Sequence, residues 1–160
     1  MEQLLLLRHG KSDWNAAFDS DHERPINSRG RRESEAMGRF LATSGIVPDR
    51  ILCSTALRTR QTLARVMDSA GWEDVSVAYV DTLYLAALST AKRVINAQAV
   101  DVTTLLVVGH EPTMSGLVHD LTGQEAHITT ATLAVLQTPT GTAESGHARL
   151  LSVVNAKSLP

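Results

Sequence analysis

A chain of 160 residues that is 43% hydrophobic and 20% charged has the make-up of one folded domain rather than of a disordered segment. Its net charge of −2 is unevenly spread: the first 65 residues hold eleven Lys/Arg against eight Asp/Glu, and the remainder hold four against nine. A cationic first part in a nearly neutral chain suggests a local anion site, and with only 4% aromatic residues there is little surface for stacking on bases, so nucleic acid is disfavoured. The aliphatic run Leu4 to Leu7 is too short for a signal-peptide core or a membrane span, and Met1-Glu2-Gln3 lacks a positive leader. The lone Cys53 permits no internal disulfide. The expectation is a single domain over residues 1–160, cytoplasmic, monomeric and not bound to membrane.

The first element, "QLLLLR", reads as a strand covered on both faces, running straight into Arg8, His9 and Gly10. A polar stretch follows to about residue 26, closed by Arg24-Pro25-Ile26. Asn27 or Ser28 then suits the N-cap of a helix with Ala36, Met37, Phe40 and Leu41 on one face, ended by Gly45. "RILCS" (50–54) reads as a second strand, leading into a helix with Leu63, Val66, Met67 and Ala70 at helical spacing and a stop at Gly71. "VSVAYV" (75–80) alternates as a third strand, and a weaker helix starts near Ser89. "TLLVVGH" (104–110) is another buried strand ending on histidine, with Pro112 in the first turn of a helix through Leu121. "TLAVLQ" (132–137) and "ARLLSVVN" (148–155) are two further strands with no helix between them, which suits an antiparallel pair. This alternation predicts an α/β three-layer sandwich: a mostly parallel central sheet of about six strands with helices on both faces.

Three apolar strands therefore end on related chemistry: Arg8-His9-Gly10, then Cys53-Ser54 leading to Arg58, then Gly109-His110-Glu111. In a parallel sheet those ends share one edge, the edge where ligands bind. Two guanidiniums and two imidazoles converging there call for a polyanion. A phosphoryl group fits, because Arg forks bind its oxygens and histidine can attack phosphorus. On this reading Arg8 holds a phosphate that His9 attacks.

"RHGKSDWN", "STALRTRQT" and "VVGHEPTMSGLVHDLTG" together resemble the three ordered motifs of the histidine phosphatase superfamily, and "ERPINSRGRRESEA" with "DTLYLA" is most similar to its small SixA-type phosphohistidine phosphatases. The resemblance spans about residues 3–125. It implies a phosphoglycerate mutase-like fold and a metal-independent phosphatase without cofactor. It also implies His9 as nucleophile, Arg8 and Arg58 as ligands of the phosphoryl oxygens, His110 as a donor in the transition state and Asn15 as a further phosphate contact. Gly10 would let the backbone approach the phosphate.

One position departs from the family. Many members carry a general-acid glutamate in Leu-x-Glu after the third strand, and here that stretch is Leu83-Tyr84-Leu85. An alkoxide needs protonation as it leaves, whereas an imidazole departs with far less help. Leu85 thus favours a phosphoramidate, phosphohistidine on another protein, unless Asp13, Asp21, Asp81 or Glu111 substitutes as acid. The alternatives are a small-molecule phosphomonoesterase of the same superfamily and a catalytically weak phospho-binding module. Lys11 and Arg24 stand between solvated charge and site rim. His22, His119, His127 and His147 read as surface residues, without metal-ligand spacing. Gly10-Lys11-Ser12 is not a P-loop, since Leu5 stands where its first glycine belongs.

Overall fold

In the computed structural model, which describes residues 1–160, the four leucines of strand β1 (Gln3–Arg8) are fully buried and divide by parity. Leu4 and Leu6 join one apolar cluster, and Leu5 and Leu7 join a second on the opposite face, as the two-residue period of a strand requires. Strand β4 (Thr104–Gly109) divides likewise, Leu105 and Val107 to one side and Leu106 and Val108 to the other. Helices α1 (Ser28–Thr43) and α2 (Leu57–Ala70) cover one face through Met37, Leu41, Leu63 and Val66. Helices α3 (Leu88–Gln98) and α4 (Thr113–Thr122) cover the other through Ala91, Ile95, Leu117 and Leu121. The result is the expected three-layer α/β sandwich.

With β2 (Arg50–Ser54), β3 (Ser76–Val80), β5 (Thr132–Gln137) and β6 (Arg149–Asn155), the sheet has six strands in the order β3-β2-β4-β1-β5-β6. The pairs β3–β2, β2–β4 and β4–β1 are parallel, while β5 runs antiparallel to both β1 and β6. Ladder register aligns the strand ends. Arg8 pairs with Gly109 and Cys53 with Val108, so the carboxyl ends of β1, β4 and β2 stop at one level. No helix is long and apolar enough to cross a membrane.

Local signals set most boundaries. The Asn27 side chain accepts the Gly30 N–H at 2.9 Å, the N-cap bond that starts α1. Gly71 closes α2 at φ 70°, where a side chain would be strained. Pro112 differs from expectation, standing at the N-cap of α4 rather than inside its first turn. Proline has no side-chain acceptor for the free N–H groups there, and Glu111 supplies one, its Oε1 taking the Ser115 N–H at 2.7 Å.

Candidate active site

The level strand ends place Arg8, His9 and His110 side by side, and Arg58 enters from the first turn of α2, which follows β2 directly. All four line one cavity of about 320 Å³ at the carboxyl edge of the sheet. Its chemistry is buried: His9 is 7% exposed, Arg58 3% and His110 1%. The two imidazole centroids stand 5.4 Å apart.

His9 Nδ1 lies 2.7 Å from the Gly10 carbonyl. A carbonyl only accepts, so Nδ1 carries the proton and Nε2 keeps its lone pair. Burial, with Arg58, Arg8 and Arg24 adding repulsion, pulls the His9 pKa down from 6.5 to about 4, against a smaller upward pull from the Gly10 carbonyl. His9 is therefore a neutral imidazole with a free nitrogen at physiological pH. His110 is lowered further, to about 3, by burial, then by His9 and Arg58. Its Nε2 lies 2.8 Å from Ser54 Oγ, and its Nδ1 is buried without a partner.

The arginines are held by different means. Arg8 donates to the Ile128 carbonyl at 3.1 Å. Arg58 donates to the Asp21 carbonyl at 2.7 Å and to Asp21 Oδ2 at 3.0 Å. Asp21 Oδ1 accepts from Arg24 at 2.8 Å, so one carboxylate ties two arginines that face the same cavity. Tyr84 completes the set, its hydroxyl donating to Asp21 Oδ2 at 2.6 Å. This bond, followed by those from the arginines, holds the Asp21 carboxyl far below the usual carboxylate range despite partial burial. Arg24, itself buried, also donates to Ser12 Oγ, and its guanidinium lies 3.7 Å from the centroid of the exposed Trp14 ring.

The sequence expectations fare unequally. Arg8, His9, Arg58 and His110 converge. Lys11 and Arg24 both line the cavity. Asn15 does not: it is exposed and lies outside the cavity lining, its backbone N–H bonding Asp13 Oδ1 at 2.9 Å. Gly10 serves a different purpose from close approach to phosphate. Its N–H is spent on Thr62 Oγ1 at 2.8 Å, and a Cβ there would come 2.9 Å from the Gly30 carbonyl, so it lets α1 lie against the chain just after β1.

Of the four candidate acids, Asp13 and Asp81 lie outside the cavity lining and Asp21 is locked as an anion. Glu111 lines the cavity, but both its oxygens accept from Ser115, at 2.7 and 2.6 Å. Leu85 lines it too, 57% exposed and with φ at 51°. His119, His127 and His147 are exposed, whereas His22 is half-buried: it bonds Thr55 Oγ1 at 3.0 Å and meets the Tyr84 ring edge-on at 5.0 Å. Tyr84, Ser54 and Trp14 join the site without having been expected there. Ser54 was marked only by closing β2, and Tyr84 only by standing next to Leu85.

Two neutral imidazoles and a cluster of arginines thus share one cavity at the strand ends of an α/β sandwich. The profile of the histidine phosphatase superfamily (branch 1) matches residues 4–83, and the chain belongs to that superfamily. Over nearly the whole chain it is SixA-like. A SixA structure from Agrobacterium tumefaciens superposes with a TM-score of 0.83 at 30% identity, covering 96% of this chain and 97% of that one. The protein histidine phosphatase SixA complexed with tungstate superposes with a TM-score of 0.84 at 27% identity, covering 97% of each. In sequence, a Mycobacterium tuberculosis protein described only as uncharacterized is 44% identical over 111 residues, 69% of this chain and 66% of that relative's length.

Proposed function

We propose that this chain is a metal-independent phosphohistidine phosphatase acting on a phosphorylated protein, with His9 as the nucleophile. The observation that carries the reading is the His9 imidazole: Nδ1 donates to the Gly10 carbonyl, which leaves Nε2 as a free lone pair in a cavity walled by arginines. Lys11, Arg8, Arg24 and Arg58 face Asp21 and Glu111 there, a surplus of two positive charges that matches one phosphoryl dianion without a metal. The SixA relative's complex with tungstate, another tetrahedral oxyanion, agrees with such a ligand.

In the reaction, His9 Nε2 attacks phosphorus as the bond to the substrate imidazole breaks. If the substrate ring already carries a proton on its other nitrogen, it departs as a neutral imidazole and needs no acid. Arg8 and Arg58 hold the phosphoryl oxygens, and His110 donates to them. Water then attacks phosphorus, the bond to His9 breaks, and inorganic phosphate leaves. Leu85 fits this scheme, since the apolar side chain at that part of the wall has no proton to give an alkoxide.

A small-ester phosphatase is the rival reading, favoured by the presence of Glu111 in the lining. The test is phosphate release from a phosphohistidine-bearing protein and from an alkyl phosphate, with wild type and His9→Ala. Selective release from phosphohistidine, abolished by His9→Ala, is the expected result. Comparable kcat/KM on the alkyl phosphate, lost in Glu111→Gln, would overturn it in favour of the rival.

A further inference from the structure

We infer that Ser54 is a positioning residue that fixes the tautomer of His110, so that Nδ1–H is the atom offered to the phosphoryl oxygens. This deepens the proposed reading of the same site and rests on it for the identity of the ligand. The juxtaposition behind it is one hydroxyl, at the end of β2, set against one imidazole just past the end of β4, 56 positions apart in the chain.

His110 is neutral at physiological pH, so its ring carries a single N–H, on Nδ1 or on Nε2. The surroundings of Ser54 Oγ decide which. The hydroxyl oxygen has two neighbours: the Ala56 backbone N–H at 3.4 Å, which can only donate, and His110 Nε2 at 2.8 Å. Suppose Nε2 carried the proton. Ser54 Oγ would then face two donors, its own hydrogen would have no acceptor, and His110 Nδ1 would be a bare lone pair buried without a donor. Two buried polar groups would be left unmet. With the proton on Nδ1, the chain runs Ala56 N–H to Ser54 Oγ, then Ser54 O–H to His110 Nε2. Only one donor, Nδ1–H, then lacks a partner.

That one unmet donor has a use. A bare nitrogen lone pair would repel a phosphoryl oxygen, whereas an N–H is a neutral donor ready before the ligand arrives. Both imidazoles would then carry their proton on Nδ1 for opposite ends. His9 is fixed by a carbonyl so that Nε2 is a nucleophile; His110 is fixed by a hydroxyl so that Nδ1 is a donor. No proton changes hands at His110: it lends a hydrogen bond and keeps its hydrogen. Ser54 is fully buried and does not line the active-site cavity, so it reaches the reaction through His110.

The experiment is two-bond proton–nitrogen correlation NMR on protein with labelled histidine, which separates the two neutral tautomers, with His110 assigned from a His110→Asn sample. In the free wild type His110 is expected in the Nδ1–H form, and saturating inorganic phosphate is expected to shift its N–H proton downfield. In Ser54→Ala the tautomer population is expected to move toward Nε2–H. kcat is expected to fall about tenfold with little change in KM, and Ser54→Thr, which restores a hydroxyl, to recover part of both. An Nε2–H ring in the wild type overturns the inference with no variant needed. So does a Ser54→Ala protein whose His110 keeps the Nδ1–H form. The tautomer is read in the free protein, so a correct tautomer with no response to phosphate and no turnover would instead sink the phosphatase reading.

Discussion

The floor of the cavity and its mouth are built by different means. Arg8, His9 and His110 sit at the ends of β1 and β4, with Ser54 bonded to His110 from the end of β2, and ladder register fixes the backbone to which each is attached. Trp14, Asp21, Arg24 and Leu85 come instead from two connecting segments and are held by side-chain contacts, such as Asp21 against two arginines and Trp14 against Arg24. Exposure follows that division only at its extremes: His110 is almost sealed and Trp14 is 64% exposed, whereas Arg24, though it comes from a connecting segment, is buried. On the proposed reading, the chemistry rests on backbone geometry fixed by the sheet, and the choice of substrate rests on loops. Changes at the floor should cost turnover, and changes at the mouth should alter what is turned over.

The largest effect is expected at the nucleophile. His9→Ala should lower kcat on a phosphohistidine protein by about a thousandfold or more, with circular dichroism unchanged. Retained turnover would break the division between floor and mouth. Arg58→Ala should cost about a hundredfold or more in kcat, because the guanidinium stabilises charge where it develops. Arg58→Lys should rescue little, since a single ammonium cannot reproduce the fork that grips both the carbonyl and the carboxylate of Asp21.

At the mouth, Leu85→Glu should raise kcat/KM on an alkyl phosphate by roughly tenfold, since it supplies an acid at the cavity wall. Little change on phosphohistidine is expected, and a steady-state comparison of the two substrates checks both statements. The smallest effect is expected for Trp14→Ala. Loss of the ring beside Arg24 should raise KM a few-fold and lower stability by about 0.5–1 kcal/mol, readable by urea unfolding.

Acid sharpens the same contrast. The folded pKa values of His9 and His110, about 4 and about 3, lie below the unfolded value of 6.5. The unfolded chain therefore takes up protons that the native floor refuses. The stability this confers is complete above pH 6.5 and is lost as pH falls from there toward 4 and 3. Denaturant midpoints measured between about pH 8 and pH 4 should fall over that window, and His9→Ala should flatten part of the fall.

Much of the floor was legible in the sequence, because each residue follows a short apolar run whose end a parallel sheet brings to one edge. Arg8, His9 and His110 needed only that rule, and Arg58 needed the helix directly after β2. The mouth was legible in parts. Lys11 and Arg24 were open between rim and solvent, and what settles Arg24 is a set of contacts to Ser12, Asp21 and Trp14 that no local pattern encodes. Tyr84 reaches Asp21 across 63 residues of chain, a pairing without periodicity to betray it. Asn15 went the other way: the family resemblance implied a contact with the phosphate, but the residue is exposed and lies outside the cavity lining. At Gly10 the resemblance implied close approach to the phosphate, and the contact the structure shows is with α1, whose Gly30 carbonyl leaves no room for a Cβ.

The most direct test of His9 as nucleophile is to quench the enzyme during turnover of a substrate labelled in the phosphoryl group and to ask where the label sits. An acid-labile, base-stable phosphoryl group is expected on His9, formed and discharged fast enough to lie on the path to inorganic phosphate. In His9→Ala no label should attach. Label on another residue, or full turnover by His9→Ala with no labelled enzyme, would contradict the claim that the free Nε2 of His9 is the nucleophile.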